Sequence, residues 1–370
     1  MTLSSARWSA ERANAWQQAN AWQCGFNYLP RNAVNFPDMW RADNFSPDLI
    51  RQELGWARDC GFNSLRTNLP FVVWQHDGAG LLERMEIFLS IASEQGLSVV
   101  FCPLDDCEFS GGDPSAGAPP APVPGLHNSR AVGSPGRRWV MDRPLHHAVV
   151  YYVGALVDHF RSDARVLFWD LYNEPGNRMV FAKDGEHSFS QALEQHSMAL
   201  MEAAFRRVRD IDPIQPLTVA AWHMPAPWEP TPTPYYQHPL DQAALEWSDL
   251  VSFHAYREPE ILNRVLEQLA ALGRPMICSE WMARHVNSTI ENQLELFCRH
   301  NVHCYQWGLV RGATQTHLPW PDVVLRQQVP SERSDDTWFH DLLEPDGTPH
   351  RSEEIGLIRQ CVDDGQQQRC

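Results

Sequence analysis

The sequence predicts an α/β fold made of one (β/α)8 barrel. Eight short apolar runs, rich in β-branched and aromatic residues, alternate with longer stretches of helical period. Strands that are apolar on both faces and separated by helices form a parallel sheet. Eight such units in 370 residues close most naturally into a TIM barrel. We find no linker or internal repeat, so we expect residues 1–370 to form a single domain.

The eight predicted strands are short and evenly distributed along the chain. The main alternative, an open doubly wound sheet, usually has fewer strands and a Gly-rich first turn, which the sequence lacks. The runs are 22-WQCGFNYL-29, 62-FNSLRT-67, 97-LSVVFC-102, 166-VLFWDLY-172, 216-PLTVAAW-222, 249-DLVSFHAY-256, 275-PMICSEW-281 and 302-VHCYQWG-308.

Helical patterns fill the intervals between these strands. The segment 46–61 has a Ser N-cap, a Pro at its first helical position and a closing Gly, which are standard helix start and stop signals. The other predicted helices are 81–96, 145–160, 190–210, 240–247, 258–273, 291–301 and 352–364.

Two long irregular stretches interrupt the alternation. Residues 103–144 follow the third strand and contain the run 111-GGDPSAGAPPAPVPG-125, and residues 309–349 follow the eighth strand. Loops of this length in a compact domain are usually functional or mobile. Both leave from strand C-termini, the face that carries the active site in barrel enzymes. We therefore expect both loops to border the site.

The composition restricts the class of ligand. The formal net charge is −16 and the pI is near 5.4. These values argue against nucleic acid, whose phosphates need a basic surface, and against anionic membranes. No apolar run approaches the roughly 18 residues that cross a bilayer. Neutral or weakly charged small molecules remain as ligands, and the oligomeric state cannot be read from the sequence.

The chain start and the cysteines favour a cytoplasmic protein. The first residues, MTLSSARWSAERANAWQQ, have no apolar segment or small-residue cleavage pattern, although a chain trimmed of its leader would look the same. The chain has nine cysteines, an odd number. Those that fall inside predicted strands or helices suit reduced, buried thiols better than disulfides; they are Cys60, Cys102, Cys278, Cys298 and Cys304.

No cofactor or metal site is predicted. The sequence contains no phosphate-binding P-loop, dinucleotide fingerprint or Gly-x-Ser-x-Gly elbow. Three His or Cys pairs lack a second pair at zinc-like spacing, which makes metal binding the weaker interpretation. These pairs are His300/His303, His146/His147 and Cys102/Cys107.

Two glutamates follow predicted strands in positions suited to catalysis. Asn173 and Glu174 come directly after strand four, and Glu280 lies near the end of strand seven. The C-terminal ends of these strands face each other across a barrel mouth, so the two carboxylates can converge. Glycoside hydrolysis requires two carboxylates flanking one bond, one to protonate the leaving oxygen and one to attack the anomeric carbon or activate water.

Polar and aromatic residues at other strand ends support this interpretation. Arg66 can keep one glutamate ionised by pairing with it, although it could also form a structural ion pair. His254 is equally compatible with a hydrogen-bonded core histidine. We expect Tyr256 to donate to the nucleophile and Asn173 to hold a sugar hydroxyl. Three tryptophans offer apolar platforms for a sugar ring, namely Trp307, Trp222 and Trp281.

Taken in order, these motifs resemble the clan A retaining glycoside hydrolases, and most closely family 5, the cellulase-like group. The segments 25-GFNYLPRNAVNFPDMW-40 and 169-WDLYNEPGN-177 are similar to a bacterial branch often labelled as xylanases or cellulases. The resemblance spans essentially the whole chain. It implies Glu174 as acid/base and Glu280 as nucleophile, with net retention of configuration.

One position departs from this family pattern. Strand three ends in 104-LDDCE-108, where many relatives present a histidine. The contacts to the sugar and hence the identity of the sugar are therefore open. Asp105 or Asp106 can bind sugar hydroxyls there, or can merely cap the loop.

The sequence thus predicts a retaining β-glycosidase whose carboxyl groups lie about 5–5.5 Å apart. We expect contacts from Arg66 and Tyr256 to keep Glu280 ionised. We expect Glu174 to be protonated, because the neighbouring negative charge raises its pKa. The apparent absence of a leader and the two long loops favour exo-action on short oligosaccharides or glycosides. The alternatives are an endo-acting β-glucanase, mannanase or xylanase, a furanosidase, and a carbohydrate-binding barrel that has lost catalysis.

Overall fold

The computed structural model describes residues 2–181, 192–225, 234–325 and 337–367. Its centre is a barrel of eight parallel strands, which confirms the predicted fold. In chain order the strands are β1 (Cys24–Asn27), β2 (Ser64–Asn68), β3 (Ser98–Cys102), β4 (Val166–Asp170), β5 (Leu217–Thr218), β6 (Val251–His254), β7 (Met276–Trp281) and β8 (His303–Trp307).

Neighbouring strands follow the order β5-β4-β3-β2-β1-β8-β7-β6 around the sheet. The barrel closes between β5 and β6, where Ala221 forms a parallel bridge with Phe253. There the amide of Ala221 donates to the carbonyl of Ser252 at 3.0 Å, and the amide of His254 donates to the carbonyl of Ala221 at 2.9 Å. In this order β4 lies opposite β8.

Thirteen α-helices occur in the described part of the chain, most of them around the barrel. They are α1 (Leu3–Ala6), α2 (Ala10–Ala19), α3 (Phe36–Trp40), α4 (Pro47–Cys60), α5 (Phe71–Glu94), α6 (Arg137–Met141), α7 (His146–Phe160), α8 (Ala192–Ile211), α9 (Pro239–Trp247), α10 (Pro259–Ala270), α11 (Ile290–Arg299), α12 (Asp322–Leu325) and α13 (Ser352–Gln367).

The predicted helices are present, with one notable difference in extent. The helix expected at 81–96 is the second part of α5, which begins ten residues earlier at Phe71. The helix bends at Asp77, whose φ of −152° and ψ of 67° are not helical. Asp77 accepts a hydrogen bond from the amide of Gly80 at 3.0 Å. Because Asp and Gly both disfavour helix interiors, the first part was not predicted. Of the helix predicted at 190–210, residues 190 and 191 lie outside the described residues.

The short helix α2 was not predicted, and it packs against one end of the barrel interior. Its Trp16 contacts Phe168 edge-on, with ring centroids 6.3 Å apart, and Phe168 contacts Tyr305 at 6.0 Å. Tyr305 fits inside because Gly25 faces it. A Cβ on Gly25 would lie 2.6 Å from the tyrosine ring, closer than atoms can approach. This end of the barrel is therefore a packed apolar core.

Both predicted loops extend from the C-terminal ends of their strands. Leu104–Asp105, just after β3, pairs in parallel with Tyr172–Asn173, just after β4, so the first loop begins beside the predicted catalytic strand. Eight cysteines lie in the described part of the chain, and none of them forms a disulfide. No described helix is both long enough and apolar enough to span a membrane.

Candidate active site

A fully buried arginine on β2 links the ends of three other strands, β1, β4 and β7, at the mouth of the barrel. Arg66, on β2, is 0% exposed. Its Nε donates to Asp170 at 2.9 Å and its Nη2 donates to Asn173 at 2.7 Å. Its Nη1 donates to Asn27 at 2.7 Å and to Glu280 at 3.2 Å. A planar guanidinium with five donors suits this role, and Arg66 therefore fixes the relative positions of these groups.

Glu280 receives hydrogen bonds from two sides. Besides the contact from Arg66 to its Oε1, the hydroxyl of Tyr256 donates to its Oε2 at 2.9 Å. Burial raises the pKa of Glu280 to about 7, and the nearby Glu174 adds to this effect, against the opposing influence of His254, Arg66 and Tyr256. Both contacts agree with the expectation that Arg66 and Tyr256 pair with this glutamate.

Glu174 lies at a turn with an unusual backbone. Its φ is +42°, in the left-handed region that non-glycine residues rarely adopt outside functional or tightly constrained positions. The side-chain amide of Asn177 donates to Glu174 Oε2 at 2.6 Å, and His254 Nδ1 lies 3.0 Å from Oε1. Burial raises the pKa of Glu174. The turn therefore directs this carboxyl group into the mouth and holds it there.

The two glutamates converge as the sequence predicted. Glu174, Glu280 and His254 each offer one atom to a group in which all three atoms lie within 4.8 Å of one another. His254 Nδ1 is 3.6 Å from Glu280 Oε2, and burial lowers the pKa of this histidine, which favours the neutral ring. Two buried carboxyl groups this close share one proton near neutral pH. The guanidinium of Arg66 contacts Glu280 and not Glu174, which favours the anionic form of Glu280 over that of Glu174.

Asn173 is held in one orientation by partners on both sides. Its Oδ1 accepts from Arg66 at 2.7 Å, and its Nδ2 donates to Asp105 Oδ1 at 2.9 Å. Asp105 also accepts from the amide nitrogen of Cys107 and from the side chain of Asn68, both at 2.8 Å. An amide NH2 has two donors, so one N–H of Asn173 remains for a ligand.

Asp105 lines the cavity and occupies the position where the family pattern has a histidine. Burial raises its pKa to about 7. Because three protein donors already contact its two oxygens, its observed role is to orient Asn173.

Asp106 does not face the cavity, in contrast to the expectation that it could bind sugar hydroxyls. It is 0% exposed and accepts hydrogen bonds from the hydroxyl of Tyr172 at 2.9 Å, the hydroxyl of Ser197 at 2.6 Å and the amide of Gly176 at 2.7 Å. These contacts fasten the turn that carries Glu174. Its contacts instead fit the other role expected for Asp106, which is to cap the loop.

The three candidate tryptophans differ in their positions. Trp307 and Trp222 line the cavity, as the platform interpretation requires. Trp281 is 1% exposed and packs edge-on against Phe297, with ring centroids 4.8 Å apart. Side chains alternate along a strand, so Trp281, which follows Glu280, points away from the mouth. Trp281 is therefore a core residue and not a platform.

Both long loops enclose the cavity above the two glutamates, which has a volume of about 360 Å³. From the first loop Phe109 stacks on Phe181 of the loop after β4, with centroids 3.7 Å apart. From the second loop Trp320 contacts Tyr256 edge-on at 5.2 Å. One wall of the cavity is thus aromatic, and the floor carries the carboxylates. The lining combines apolar and aromatic side chains with polar groups around the two glutamates, a composition typical of a small-molecule site.

Several residues of the site were not among the sequence candidates. Asn27 and Asp170 contact Arg66, and their positions at strand ends were the available signal. His223 lines the cavity with its Nδ1 at 2.9 Å from the buried Asp241. Asp341, in the second loop, also lines it. No local motif marks His223 and Asp341, because their partners are distant in the sequence.

One group of residues in the described chain has the composition of a metal site, namely Glu174, His254 and Glu280. The carboxylate oxygens of the two glutamates already accept hydrogen bonds from Arg66, Tyr256 and Asn177. A dication here would lie next to a guanidinium, so the arrangement suits a carboxyl pair with one proton better than a cation.

No protein-family model and no curated protein matches the chain. Solved structures do match its fold. The exo-β-1,4-mannosidase from Opitutaceae bacterium strain TAV5 superposes with a TM-score of 0.57 and 15% identity, over 94% of this chain and 61% of that one. This chain thus spans less than two thirds of that enzyme's length.

Two further structures show the same likeness. GH5_18 from Streptomyces cattleya, in complex with Manβ1-4GlcNAc, gives a TM-score of 0.56 and 15% identity over 94% of this chain and 81% of that one. The endo-1,4-β-mannanase from Rhizomucor miehei gives a TM-score of 0.58 and 10% identity over 94% of this chain and 95% of that one. At these identities the likeness establishes the shared fold, and that fold agrees with the resemblance to family 5.

Proposed function

We propose that the protein is a retaining β-glycosidase that acts by double displacement. The observation that carries this proposal is the asymmetric carboxyl pair. Oxygens of Glu174 and Glu280 lie within 4.8 Å of each other, and the cationic Arg66 contacts only one of the two glutamates. The short separation is close to the roughly 5–5.5 Å of retaining enzymes and leaves no room for the water that inverting enzymes place between the carboxylates.

In the first step an oxygen of Glu280 attacks the anomeric carbon. The bond from that carbon to the leaving oxygen breaks, and Glu174 transfers its proton to this oxygen. In the second step Glu174 takes a proton from water, and the water oxygen attacks the same carbon. The bond to Glu280 then breaks, which restores both carboxyl groups and gives net retention.

The surrounding donors have separate roles in this scheme. Arg66 and Tyr256 stabilise the anionic Glu280 before attack and after its release. His254, as a neutral ring with Nδ1 at 3.0 Å from Glu174, donates to this carboxyl when it is ionised. The remaining N–H of Asn173 donates to a sugar hydroxyl next to the reacting carbon.

The cavity supports exo-action on short oligosaccharides or glycosides. Residues of both long loops, including His127 and Trp320, enclose it, and a walled cavity of about 360 Å³ suits one terminal sugar better than the middle of a polymer. The fold is shared with an exo-β-1,4-mannosidase and with an endo-1,4-β-mannanase. Comparing initial rates on aryl glycosides and on a long polysaccharide tests this point, and efficient internal cleavage of the polymer would contradict exo-action.

A panel of 4-nitrophenyl β-glycosides, followed by labelling, tests the proposed chemistry. We expect at least one glycoside to be hydrolysed with retention. Its 2-deoxy-2-fluoro analogue with a good leaving group should inactivate the protein, with the label on Glu280 in a peptide map. Labelling of another residue would contradict the assignment. Binding of glycosides without any turnover or labelling would instead identify an inactive carbohydrate-binding barrel.

A further inference from the structure

The cavity contains a buried carboxylate that the proposed reaction does not use. Asp341, in the loop after β8, is 1% exposed and lines the cavity. One of its oxygens, Oδ2, accepts a hydrogen bond from the hydroxyl of Thr316 at 2.9 Å. Within the described residues no cationic side chain lies within ion-pair distance of it. The arginines nearest in electrostatic effect, Arg284 and Arg311, pair with other carboxylates instead.

Burial of such a group is unfavourable for folding. A carboxylate without a cation loses its hydration on burial, and the Thr316 hydroxyl together with the residue's own backbone amide replaces only part of it. In agreement with this, burial raises the pKa of Asp341 to about 7. Apolar residues of similar volume would be more favourable for stability alone. A ligand that donates to Asp341 would supply the missing hydrogen bonds.

The backbone is shaped to admit this side chain. Gly308, directly after β8, has a φ of +79°, and a Cβ at this position would lie 2.3 Å from Asp341 Oδ1. Any other residue would therefore both strain the backbone and displace the carboxylate. Asp341 consequently lies against the end of β8, next to Trp307, another cavity residue.

The barrel topology places Asp341 relative to a bound substrate. Strand β8 lies opposite β4 in the strand order, so the corner with Trp307 and Asp341 is across the mouth from Glu174. If Glu174 protonates the leaving oxygen, the leaving group lies on the β4 side. The sugar that is transferred to Glu280 then extends toward β8, and Asp341 faces the part of its ring remote from the leaving group.

We propose that Asp341 determines the specificity for the terminal sugar by accepting hydrogen bonds from hydroxyl groups remote from the anomeric carbon. The substrate class is then a β-glycoside whose terminal sugar carries free hydroxyls there, as at O4 and O6 of a hexopyranose. Sugar hydroxyls donate well to a carboxylate, and such charge-assisted bonds are stronger than neutral ones. A chain extended at O4 would not fit, which agrees with exo-action. This inference rests on the proposed glycosidase function.

The test uses the 4-nitrophenyl β-glycoside that the wild type hydrolyses best and its analogues that each lack one hydroxyl. Asp341→Ala should lower kcat/KM for the parent glycoside by about 10- to 100-fold, the effect of a hydrogen bond to a charged group. When the deoxy analogue that lacks the partner hydroxyl replaces the parent glycoside, the kcat/KM of the wild type should fall by a similar factor. On this analogue Asp341→Ala should cause no further fall in kcat/KM. The control is Asp346→Ala, an exposed carboxylate in the same loop, which should leave kcat/KM unchanged.

Equal losses on every deoxy analogue would overturn the inference, because a merely structural carboxylate would not distinguish the hydroxyls. The melting temperature gives a readout that does not depend on activity. At pH 8 Asp341→Asn should raise Tm, since it removes an unpaired buried charge, whereas a lowered Tm would also overturn the inference. If the wild type hydrolysed no glycoside, the proposed function would fail separately, and the Tm of this variant would still decide whether Asp341 is a stabilising residue.

Discussion

Arg66 Nη1 lies 3.2 Å from Glu280 Oε1. The described hydrogen-bond partners of Glu174 are instead the side-chain amide of Asn177 and the ring of His254. The two glutamates are otherwise alike in burial and lie close together. A single guanidinium therefore breaks the symmetry of the pair and favours the anionic form of Glu280 over that of Glu174.

Replacing Arg66 by Met should abolish most activity and also destabilise the fold. The change leaves Asp170 and Glu280 as buried carboxylates without their cation, and breaking a buried pair in this way costs about 3–5 kcal/mol. Urea denaturation measures the free energy of unfolding. Arg66→Lys keeps the charge and should recover part of the stability but little activity, because an ammonium cannot reproduce the fork of donors. An Arg66→Met variant as stable as the wild type would contradict the assigned role.

Replacing Glu174 by Gln should affect substrates according to their leaving groups. Loss of a general acid lowers rates by about 10²- to 10⁴-fold when the leaving group needs a proton. We expect a loss of this size for alkyl glycosides and a much smaller loss in the first step for 2,4-dinitrophenyl glycosides. Added azide should restore turnover with the activated substrate and give a glycosyl azide of retained configuration. An equal loss on all leaving groups, with no azide product, would rule out this role for Glu174.

The pH dependence of stability should change when Glu280 is replaced by Gln. Burial raises the pKa of both glutamates, that of Glu280 to about 7, from an ordinary value near 4.3. The folded pair therefore keeps one shared proton between these pH values, where the unfolded chain has lost both. It follows that the stability contributed by this shared proton is highest below about pH 4 and is lost as pH rises through about 7.

Because Gln does not titrate, the Tm of the Glu280→Gln variant minus that of the wild type should increase from pH 5 to pH 8. Scanning calorimetry in buffers of low ionisation heat measures this difference. Glu83→Gln, at an exposed position, is the matched control and should show a difference that is nearly independent of pH. A Glu280→Gln difference that is constant or decreases with pH would refute the prediction.

Replacing Asp106 by Ala should weaken the turn that carries Glu174. The change leaves the buried hydroxyls of Tyr172 and Ser197 and the amide of Gly176 without their acceptor. Each such unsatisfied group costs about 1–3 kcal/mol. We therefore expect a large loss in the free energy of unfolding, together with a lower kcat, because Glu174 is held less firmly. Asp113→Ala, at an exposed position of the same loop, should change neither quantity.

The fold could be predicted because its signals are local. Apolar runs and helix caps such as Ser46 and Gly61 depend on a few neighbouring residues, and the eight strands follow from them. The start of α5 could not be predicted, because its helix continues through Asp77 and Gly78, which disfavour helix. Packing of the apolar residues in this segment, such as Phe71 at 2% exposure, outweighs their weak local preference.

The strand ends that carry the candidate catalytic residues could be recognised from local sequence, because each of these residues follows a clear strand pattern. Which side chains face the cavity could be read only from the folded barrel, whose structure settles the question. It excluded Asp106 and Trp281 and included His223 and Asp341. The reason is physical: the direction of a side chain in an irregular loop depends on partners far away in the chain, such as Ser197 for Asp106 and Gly308 for Asp341. Those contacts exist only once the barrel has brought the strand ends together.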